Sequence, residues 1–219
     1  MHAEAVKIPA NHKHIEGALE LPDNPIGLVL FAHGSGSSRH SPRNNYVARV
    51  LREHNIGTLL MDLLTPEEDR DYAQRFDIGL LTQRLLDAAR WVKAKPETGS
   101  LPLGYFGAST GAAAALQAAA QDARISAVVS RGGRPDLAGI HALESVRAAT
   151  LFLVGGHDYG VIELNEAAYA DLRCEKKFTI IPGATHLFEE PGTLEQVAEQ
   201  AGTWFESHFR RGSPAGGPP

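Results

Sequence analysis

The sequence has almost no cysteine, no long apolar run and no opening stretch with the layout of a secretory signal. Its 219 residues include one cysteine, Cys174, so no disulfide can form within the chain and a reducing compartment is expected. No apolar stretch approaches the roughly 18 residues that a membrane-spanning helix needs. The opening residues, MHAEAVKIPA, lack the charged and then apolar layout of a signal peptide. We therefore expect a cytoplasmic chain that does not bind membranes.

An excess of positive charge is also absent. The chain has 21 Lys and Arg against 26 Asp and Glu, a formal net charge of −5, which predicts no nucleic-acid partner. Hydrophobic residues make up 43% and charged residues 21%, as in ordinary globular proteins. The length suits one domain, which we assign to residues 1–211. The ending GSPAGGPP, residues 212–219, predicts a disordered tail.

Short apolar runs alternate with helical patterns along most of the chain. The runs predict strands at 26–33, 57–63, 101–107, 125–131, 149–156 and 176–183. Apolar residues at helical spacing predict helices at about 43–54, 77–92, 111–121, 161–172 and 193–210. Near the start, AVKIP and HIEGALELP flank a polar turn and predict an antiparallel hairpin at the sheet edge. The order predicts an α/β fold, a mostly parallel sheet of about seven or eight strands with helices on both faces.

A serine between two glycines follows one of the predicted strands. In an open parallel sheet, ligands bind at the edge formed by the carboxyl ends of the strands, here called the carboxyl edge. At this edge GASTG (107–111) places Ser109 after a strand and before a helix. A nucleophile elbow has this layout, because its sharp turn admits only small neighbours and the helix N-terminus supplies N–H groups. The pattern predicts a catalytic Ser109; the alternative is a flexible turn that contains a serine.

A serine nucleophile needs a base, and the base needs an acid that orients it. His186 follows the last predicted strand on a Gly-Ala-Thr turn, and Asp158 follows the apolar run ATLFLVGG. The other histidines predicted at this edge are His33, His40 and His157. Only His186 comes after both the serine and a strand-end aspartate. The sequence therefore predicts a catalytic triad of Ser109, Asp158 and His186.

The tetrahedral intermediate needs hydrogen-bond donors for its oxyanion. The N–H of Thr110, directly after the nucleophile, is the first predicted donor. The loop HGSG (33–36) supplies the second, which we assign to the N–H of Ser35, with Gly36 as the alternative donor and as a substrate contact.

Three arginines lie near the predicted site. Arg131, at the end of the run 125–131, is predicted to hold an anionic group of the substrate; the alternative is a surface arginine paired with a carboxylate such as Asp136. Arg39 and Arg43 are expected to be surface arginines.

The order of Ser109, Asp158 and His186, together with GASTG and HGSG, resembles the α/β-hydrolase superfamily. The separations of 49 (158 − 109) and 28 (186 − 158) leave room for further βα units. Only residues 132–148 separate two of the strands, too few for a cap domain, and this compact layout is most similar to the dienelactone hydrolase-like branch. Dienelactone hydrolases themselves carry a cysteine where this chain has serine. The stretch FAHGSGSSRHSPRN is also similar to hydrolase domains fused to phosphoribosyltransferases.

The resemblance implies a serine esterase that cleaves carboxylic esters of small soluble substrates through an acyl-enzyme intermediate. It implies no metal and no organic cofactor. A thioesterase, a lactonase and an acyltransferase would use the same triad, and these alternatives stay open. A non-catalytic ligand-binding protein on the same fold is the remaining alternative. The chain is expected to be a monomer or a homodimer, and the sequence favours neither.

Overall fold

An eight-stranded sheet lies at the centre of the fold, in the order β1-β2-β4-β3-β5-β6-β7-β8. The computed structural model describes residues 2–212, so the predicted tail lies outside the described residues from position 213 onward. The strands are β1 (His2–Ala10), β2 (Lys13–Leu21), β3 (Gly27–Ala32), β4 (Ile56–Met61), β5 (Leu103–Ala108), β6 (Ile125–Arg131), β7 (Ala149–Gly155) and β8 (Lys176–Ile181).

The sheet is antiparallel at one end and parallel elsewhere. β1 pairs with β2 and β2 with β4 in antiparallel register, while β4, β3, β5, β6, β7 and β8 form parallel neighbours. Asn11 and His12 join β1 to β2 with φ values of 43° and 60°, the left-handed conformations that a tight two-residue hairpin turn requires. The predicted N-terminal hairpin is therefore confirmed.

Helices cover both faces of this sheet. They are α1 (Pro42–Glu53), α2 (Ile78–Lys93), α3 (Thr110–Gln121), α4 (Ile140–Ser145), α5 (Tyr159–Asp171) and α6 (Thr193–Gly212). One apolar core contains Val47 of α1 and Phe205 of α6, and the other contains Leu85 of α2 and Leu116 of α3. The predicted mostly parallel α/β architecture is confirmed. The predicted parallel strands and the predicted helices begin and end within two residues of the observed ones, and β1 begins at His2, three residues before the predicted AVKIP.

The central strands read as continuous apolar runs because helices pack on both of their faces. Every residue of β3 and of β5 is buried. The glycines within these strands make room for aromatic rings of α6: a Cβ on Gly104 would lie 2.6 Å from the Phe205 ring, and one on Gly27 would lie 2.2 Å from the Phe209 ring. Large rings on α6 thus replace the side chains that the strands lack.

The connections at the carboxyl edge are short. Residues 132–148 between β6 and β7 hold one 3-10 turn, Pro135–Ala138, and the short helix α4, so no cap domain is inserted there. Residues 62–77 between β4 and α2 contain two further 3-10 turns, Glu68–Arg70 and Gln74–Phe76, which the sequence did not predict. No helix within residues 2–212 is both long enough and apolar enough to cross a membrane.

A buried carboxylate anchors the connection between β4 and α2. Glu68 accepts hydrogen bonds from Lys13 Nζ and Arg84 Nη2, both at 2.8 Å, and from the N–H of Thr65 at 2.9 Å. Burial alone would raise the pKa of Glu68, but these three donors outweigh it and lower the pKa from 4.5 to about 2. Glu68 therefore joins the connection to β2 and to α2 as a carboxylate.

We expect Glu68→Gln to lower the free energy of unfolding at pH 7 by about 3 kcal/mol, because Arg84 stays buried without its counter-charge. Because folding lowers the pKa of Glu68, the carboxylate contributes fully above pH 4.5, and its contribution is lost as the pH falls toward about 2. The difference between the two proteins in urea denaturation should therefore shrink over that interval. Glu67→Gln, on an exposed neighbour, is the control, and equal effects of both substitutions would contradict the anchor.

Candidate active site

Ser109 has a strained backbone conformation between β5 and α3. Its φ is 51° and its ψ is −123°, in a region that residues with a Cβ rarely adopt. Two hydrogen bonds to the segment that ends β6 hold it there: the N–H of Ser109 donates to the carbonyl of Arg131 at 3.3 Å, and the N–H of Arg134 donates to the carbonyl of Ser109 at 3.0 Å. The hydroxyl is thus held at the tip of a turn fixed from the neighbouring strand.

The glycines around Ser109 allow backbone segments to approach closely. A Cβ on Gly107 would lie 2.4 Å from Cα of Ala112, and a Cβ on Gly111 would lie 2.1 Å from the carbonyl oxygen of Ala32. A Cβ on Gly34 would lie 3.1 Å from Cβ of Ser109. Small residues are therefore required here by packing of the turn against the end of β3, as the sequence predicts.

His186 and Asp158 form a hydrogen-bonded pair at the same edge. Nδ1 of His186 lies 2.6 Å from Oδ2 of Asp158. An ionised carboxylate can only accept, so the imidazole carries a proton on Nδ1 and, when neutral, leaves Nε2 free to accept a proton. The Asp158 side chain is 15% exposed and that of His186 is 39% exposed, so the carboxylate is shielded while the ring stays accessible.

Sheet register places this pair next to the serine. Ala108, at the end of β5, pairs with Arg131 at the end of β6, and a Cβ on the following Gly132 would lie 3.6 Å from Cε1 of His186. Within residues 2–212, no hydrogen bond joins the Ser109 hydroxyl to the His186 ring. Such contacts are often long before a substrate is bound. The three predicted triad residues thus all follow strands at the carboxyl edge, Ser109 after β5, Asp158 after β7 and His186 after β8.

A neutral histidine fixes the loop that holds the predicted second oxyanion donor. Nε2 of His33 accepts a hydrogen bond from the N–H of Leu63 at 3.0 Å, so Nδ1 carries the proton and donates to the carbonyl of Gly34 at 2.9 Å. Burial lowers the pKa of His33 and keeps the ring neutral. His33 therefore joins the ends of β3 and β4 and has a structural role.

The two predicted oxyanion donors are adjacent, and a side chain links them. The N–H of Ser35 donates to Oγ1 of Thr110 at 3.0 Å, and Thr110 is only 3% exposed. Thr110 is the first residue of α3, so its own N–H has no acceptor within the helix. Gly36, the alternative donor, has a φ of 68° and lies near Arg75, whose Nη1 would be 3.8 Å from a Cβ there.

The arginines differ from one another more than the sequence indicates. Arg131 is buried and is not a surface arginine. Asp136, the carboxylate that could have paired with it, instead accepts hydrogen bonds from Arg134 at 2.9 and 2.8 Å. Arg39 forms ion pairs with acidic side chains of β2 and of the connection after β4, as expected of a surface arginine. Arg43 departs from that expectation, because its Nε is buried without an acceptor among the described residues.

Exposed apolar side chains surround the carboxyl edge, and the sequence analysis did not identify them. Tyr159 is 70% exposed and Leu187 is 41% exposed, and each directly follows a residue of the predicted triad. Tyr72 and Phe76, in the connection between β4 and α2, are 70% and 42% exposed, and their ring centroids are 5.1 Å apart. Tyr159 and Leu187 could have been predicted from the sequence, because each directly follows a predicted triad residue.

No group of three His, Cys, Asp or Glu side chains in residues 2–212 could hold a metal ion.

We expect Gly111→Ala to lower the free energy of unfolding by at least about 3 kcal/mol, because its Cβ would lie 2.1 Å from a backbone oxygen. Chemical denaturation measures the change. Gly160→Ala is the control, since a Cβ at that helical position meets nothing within 4 Å and should raise stability by up to about 1 kcal/mol. Similar effects of the two substitutions on the free energy of unfolding would show that close packing at Gly111 does not contribute to stability.

Solved structures similar to this chain include a dienelactone hydrolase and an esterase domain. A dienelactone hydrolase from Anabaena variabilis is 51% identical, with a TM-score of 0.91, over 94% of this chain and 98% of that one. An esterase domain from a Rhodothermus marinus protein is 20% identical, with a TM-score of 0.77, over 95% of this chain and 100% of that one, and supports the fold alone.

Two curated relatives are not named as hydrolases. Two Mycobacterium tuberculosis proteins, provisionally named phosphoribosyl transferases, are 57% identical over 215 residues, which is 97% of this chain and 48% of each relative. The chain thus spans about half the length of the curated relatives it matches. No protein-family model matches the sequence. The identity to the Anabaena variabilis enzyme across nearly its whole length shows that the chain belongs to the dienelactone hydrolase family of α/β-hydrolases.

Proposed function

We propose that this chain is a serine esterase that hydrolyses carboxylic esters of small soluble molecules through an acyl-enzyme. The observation that carries the proposal is the strained Ser109, with φ at 51°, beside a His186–Asp158 pair whose Nδ1–Oδ2 distance is 2.6 Å. A left-handed serine between a strand and a helix has a cost that only a specific role balances.

The proposed reaction has four proton transfers, all through the imidazole of His186. Nε2 of His186 takes the proton of the Ser109 hydroxyl as its oxygen attacks the ester carbonyl. The tetrahedral intermediate collapses, the C–O bond to the alcohol breaks, and the imidazolium gives its proton to the departing alkoxide. Water then loses a proton to the same nitrogen, and its oxygen attacks the acyl carbon. The second tetrahedral intermediate collapses, the C–O bond to Ser109 breaks, and the imidazolium returns its proton to the Ser109 oxygen as the acid leaves. Asp158 orients the ring and stabilises its cation.

The N–H groups of Thr110 and Ser35 are the proposed donors to the oxyanion. The hydroxyl of Thr110 holds the Ser35 N–H, at 3.0 Å, until the negative oxygen forms and takes over as the stronger acceptor. One such donor contributes about 10²- to 10³-fold in kcat in well-studied hydrolases. Thr110 therefore supplies one donor through its main chain and positions the other through its side chain.

Phosphoribosyl transfer is not assigned to this chain, although its longer relatives bear that name. That reaction requires no acyl-enzyme and gives no role to a strained serine beside a histidine–aspartate pair. Thioesters, lactones and acyl acceptors other than water remain compatible with the same intermediate. A panel of ester, thioester and lactone substrates would separate these classes.

Ser109→Ala should reduce turnover of p-nitrophenyl acetate by at least about 10³-fold, because the attacking oxygen is removed. A fluorophosphonate probe followed by peptide mass spectrometry should label Ser109 in the unaltered protein. Ser145→Ala, on the exposed end of α4, is the control and should retain both turnover and labelling. Labelling at another serine of an active preparation would contradict the assignment.

Thr110→Val should lower kcat for the same ester about tenfold and change KM little, because the Ser35 N–H loses the acceptor that positions it. Thr110→Ser keeps the hydroxyl and should stay close to the unaltered protein. Steady-state kinetics on the three proteins measure this. An increase in kcat for Thr110→Val would mean that the hydroxyl competes with the oxyanion instead of positioning its donor.

A further inference from the structure

A buried amide on α5 contacts the connection that follows β6. Asn165 is 0% exposed, and its Nδ2 donates hydrogen bonds to the carbonyl of Gly133 at 2.9 Å and to the carbonyl of Val161 at 2.8 Å. Both partners are carbonyl oxygens, which can only accept, so the amide faces them with its nitrogen. Asn165 therefore joins α5 to the backbone at Gly133.

The oxygen of this amide has no hydrogen-bond partner. Oδ1 of Asn165 is buried without a donor among residues 2–212. A buried acceptor that lacks a hydrogen bond is costly, and leucine, an apolar side chain of similar size, would avoid that cost. The contacts that the two N–H groups make therefore account for an amide at this position.

The residue after Gly133 helps to hold the elbow. The N–H of Arg134 donates to the carbonyl of Ser109 at 3.0 Å. Gly133 itself packs closely behind the elbow, because a Cβ on it would lie 2.1 Å from Oγ of Ser130 and 2.6 Å from Cβ of Ala112. A displacement of Gly133 would therefore move the N–H group that holds Ser109.

The preceding residue, Gly132, lies against the candidate base. A Cβ on Gly132 would lie 3.4 Å from the carbonyl oxygen of His186 and 3.6 Å from Cε1 of its ring. Asp158, the hydrogen-bond partner of His186, directly precedes α5, the helix that carries Asn165. Residues 132–134 thus adjoin the candidate nucleophile at one end and the candidate base at the other.

We propose that Asn165 is a positioning residue, which sets the distance between the Ser109 hydroxyl and the His186 ring by holding residues 132–134. The inference rests on the proposed esterase activity and adds a residue to its site. No hydrogen bond joins the hydroxyl to the ring within residues 2–212, so the backbone that carries them sets their separation. A misplacement of about 1 Å can lower a catalysed rate about 10²-fold. Asn165 touches no reacting atom and acts through the main chain.

The kinetic test uses two variants that differ in the hydrogen bonds they lose. Asn165→Leu removes both bonds. The hydroxyl in Asn165→Ser can still bond the carbonyl of Val161, four positions earlier in the helix, and only the bond to Gly133 is lost. Both variants should lower kcat for p-nitrophenyl acetate about thirtyfold and leave KM unchanged. Titration with a fluorophosphonate, run to completion, counts the active sites, so that kcat refers to folded protein. If Asn165→Leu does not fold, Asn165→Ser decides.

Gln117→Met is the matched control. Nε2 of Gln117, on α3, donates to the carbonyl of Ala138 at 3.0 Å, so this amide also joins a helix to the connection between β6 and β7. Its Oε1 accepts from Oγ1 of Thr82 at 3.0 Å, so the control loses at least as many hydrogen bonds as Asn165→Ser. Gln117→Met should keep the kcat per active site. Full kcat per site in Asn165→Ser, or an equal loss in Gln117→Met, would overturn the proposal while the esterase stands.

Amide hydrogen exchange tests the positioning without turnover. Exchange at the Arg134 N–H, followed by NMR, should be about tenfold faster in Asn165→Ser than in the unaltered protein, because its segment has lost an anchor. Exchange at the Leu143 N–H, which donates to Gly139 in the same connection, should not change. An unchanged rate at Arg134 would overturn the proposal. Absence of Ser109-dependent turnover in the unaltered protein would instead overturn the esterase, and the exchange rates would still decide whether Asn165 holds this segment.

Discussion

The contact between the elbow and the end of β3 is the constraint on which the candidate site depends. Gly111 lies so close to the carbonyls of Ala32 and His33 that no side chain fits between them. This contact brings the loop at 33–36 against Ser109, where a Cβ on Gly34 would lie 3.1 Å from Cβ of the serine. The geometry of the candidate site is thus a property of main-chain packing.

Glu68 and Arg131 are both buried charged groups, but their surroundings differ. Glu68 is surrounded by donors, and its charge is held by Lys13 and Arg84 in an arrangement that satisfies the carboxylate. Arg131 has burial of the same order and no carboxylate partner in the part of the chain that the structure describes. The first group stabilises a connection, whereas the second leaves an unmet electrostatic requirement.

The sequence predicts the sheet from its apolar runs. It also predicts that Ser109, Asp158 and His186 lie at the carboxyl edge, because each follows one of these runs and the carboxyl ends of parallel strands lie at the same edge. It does not predict that Asp136 binds Arg134. Both Arg134 and Arg131 are close to Asp136 in sequence, two and five residues away, and the sequence does not show which of them forms the ion pair. The link from Ser35 to Thr110 spans 75 positions and depends on how two turns meet, and the anchor at Glu68 depends on a tertiary contact with β2 in the same way. Hydrogen bonds between residues far apart in the sequence can therefore be identified only from the three-dimensional structure.

The left-handed backbone at Ser109 restricts which side chain this turn can carry. A branched Cβ is strongly disfavoured at a φ of 51°, so threonine is shut out even though its hydroxyl is chemically comparable. Serine and cysteine have a single heavy atom beyond Cβ and can be exchanged without moving the chain. Serine and cysteine at this position therefore differ by one atom, oxygen or sulfur, and both are compatible with the same backbone conformation.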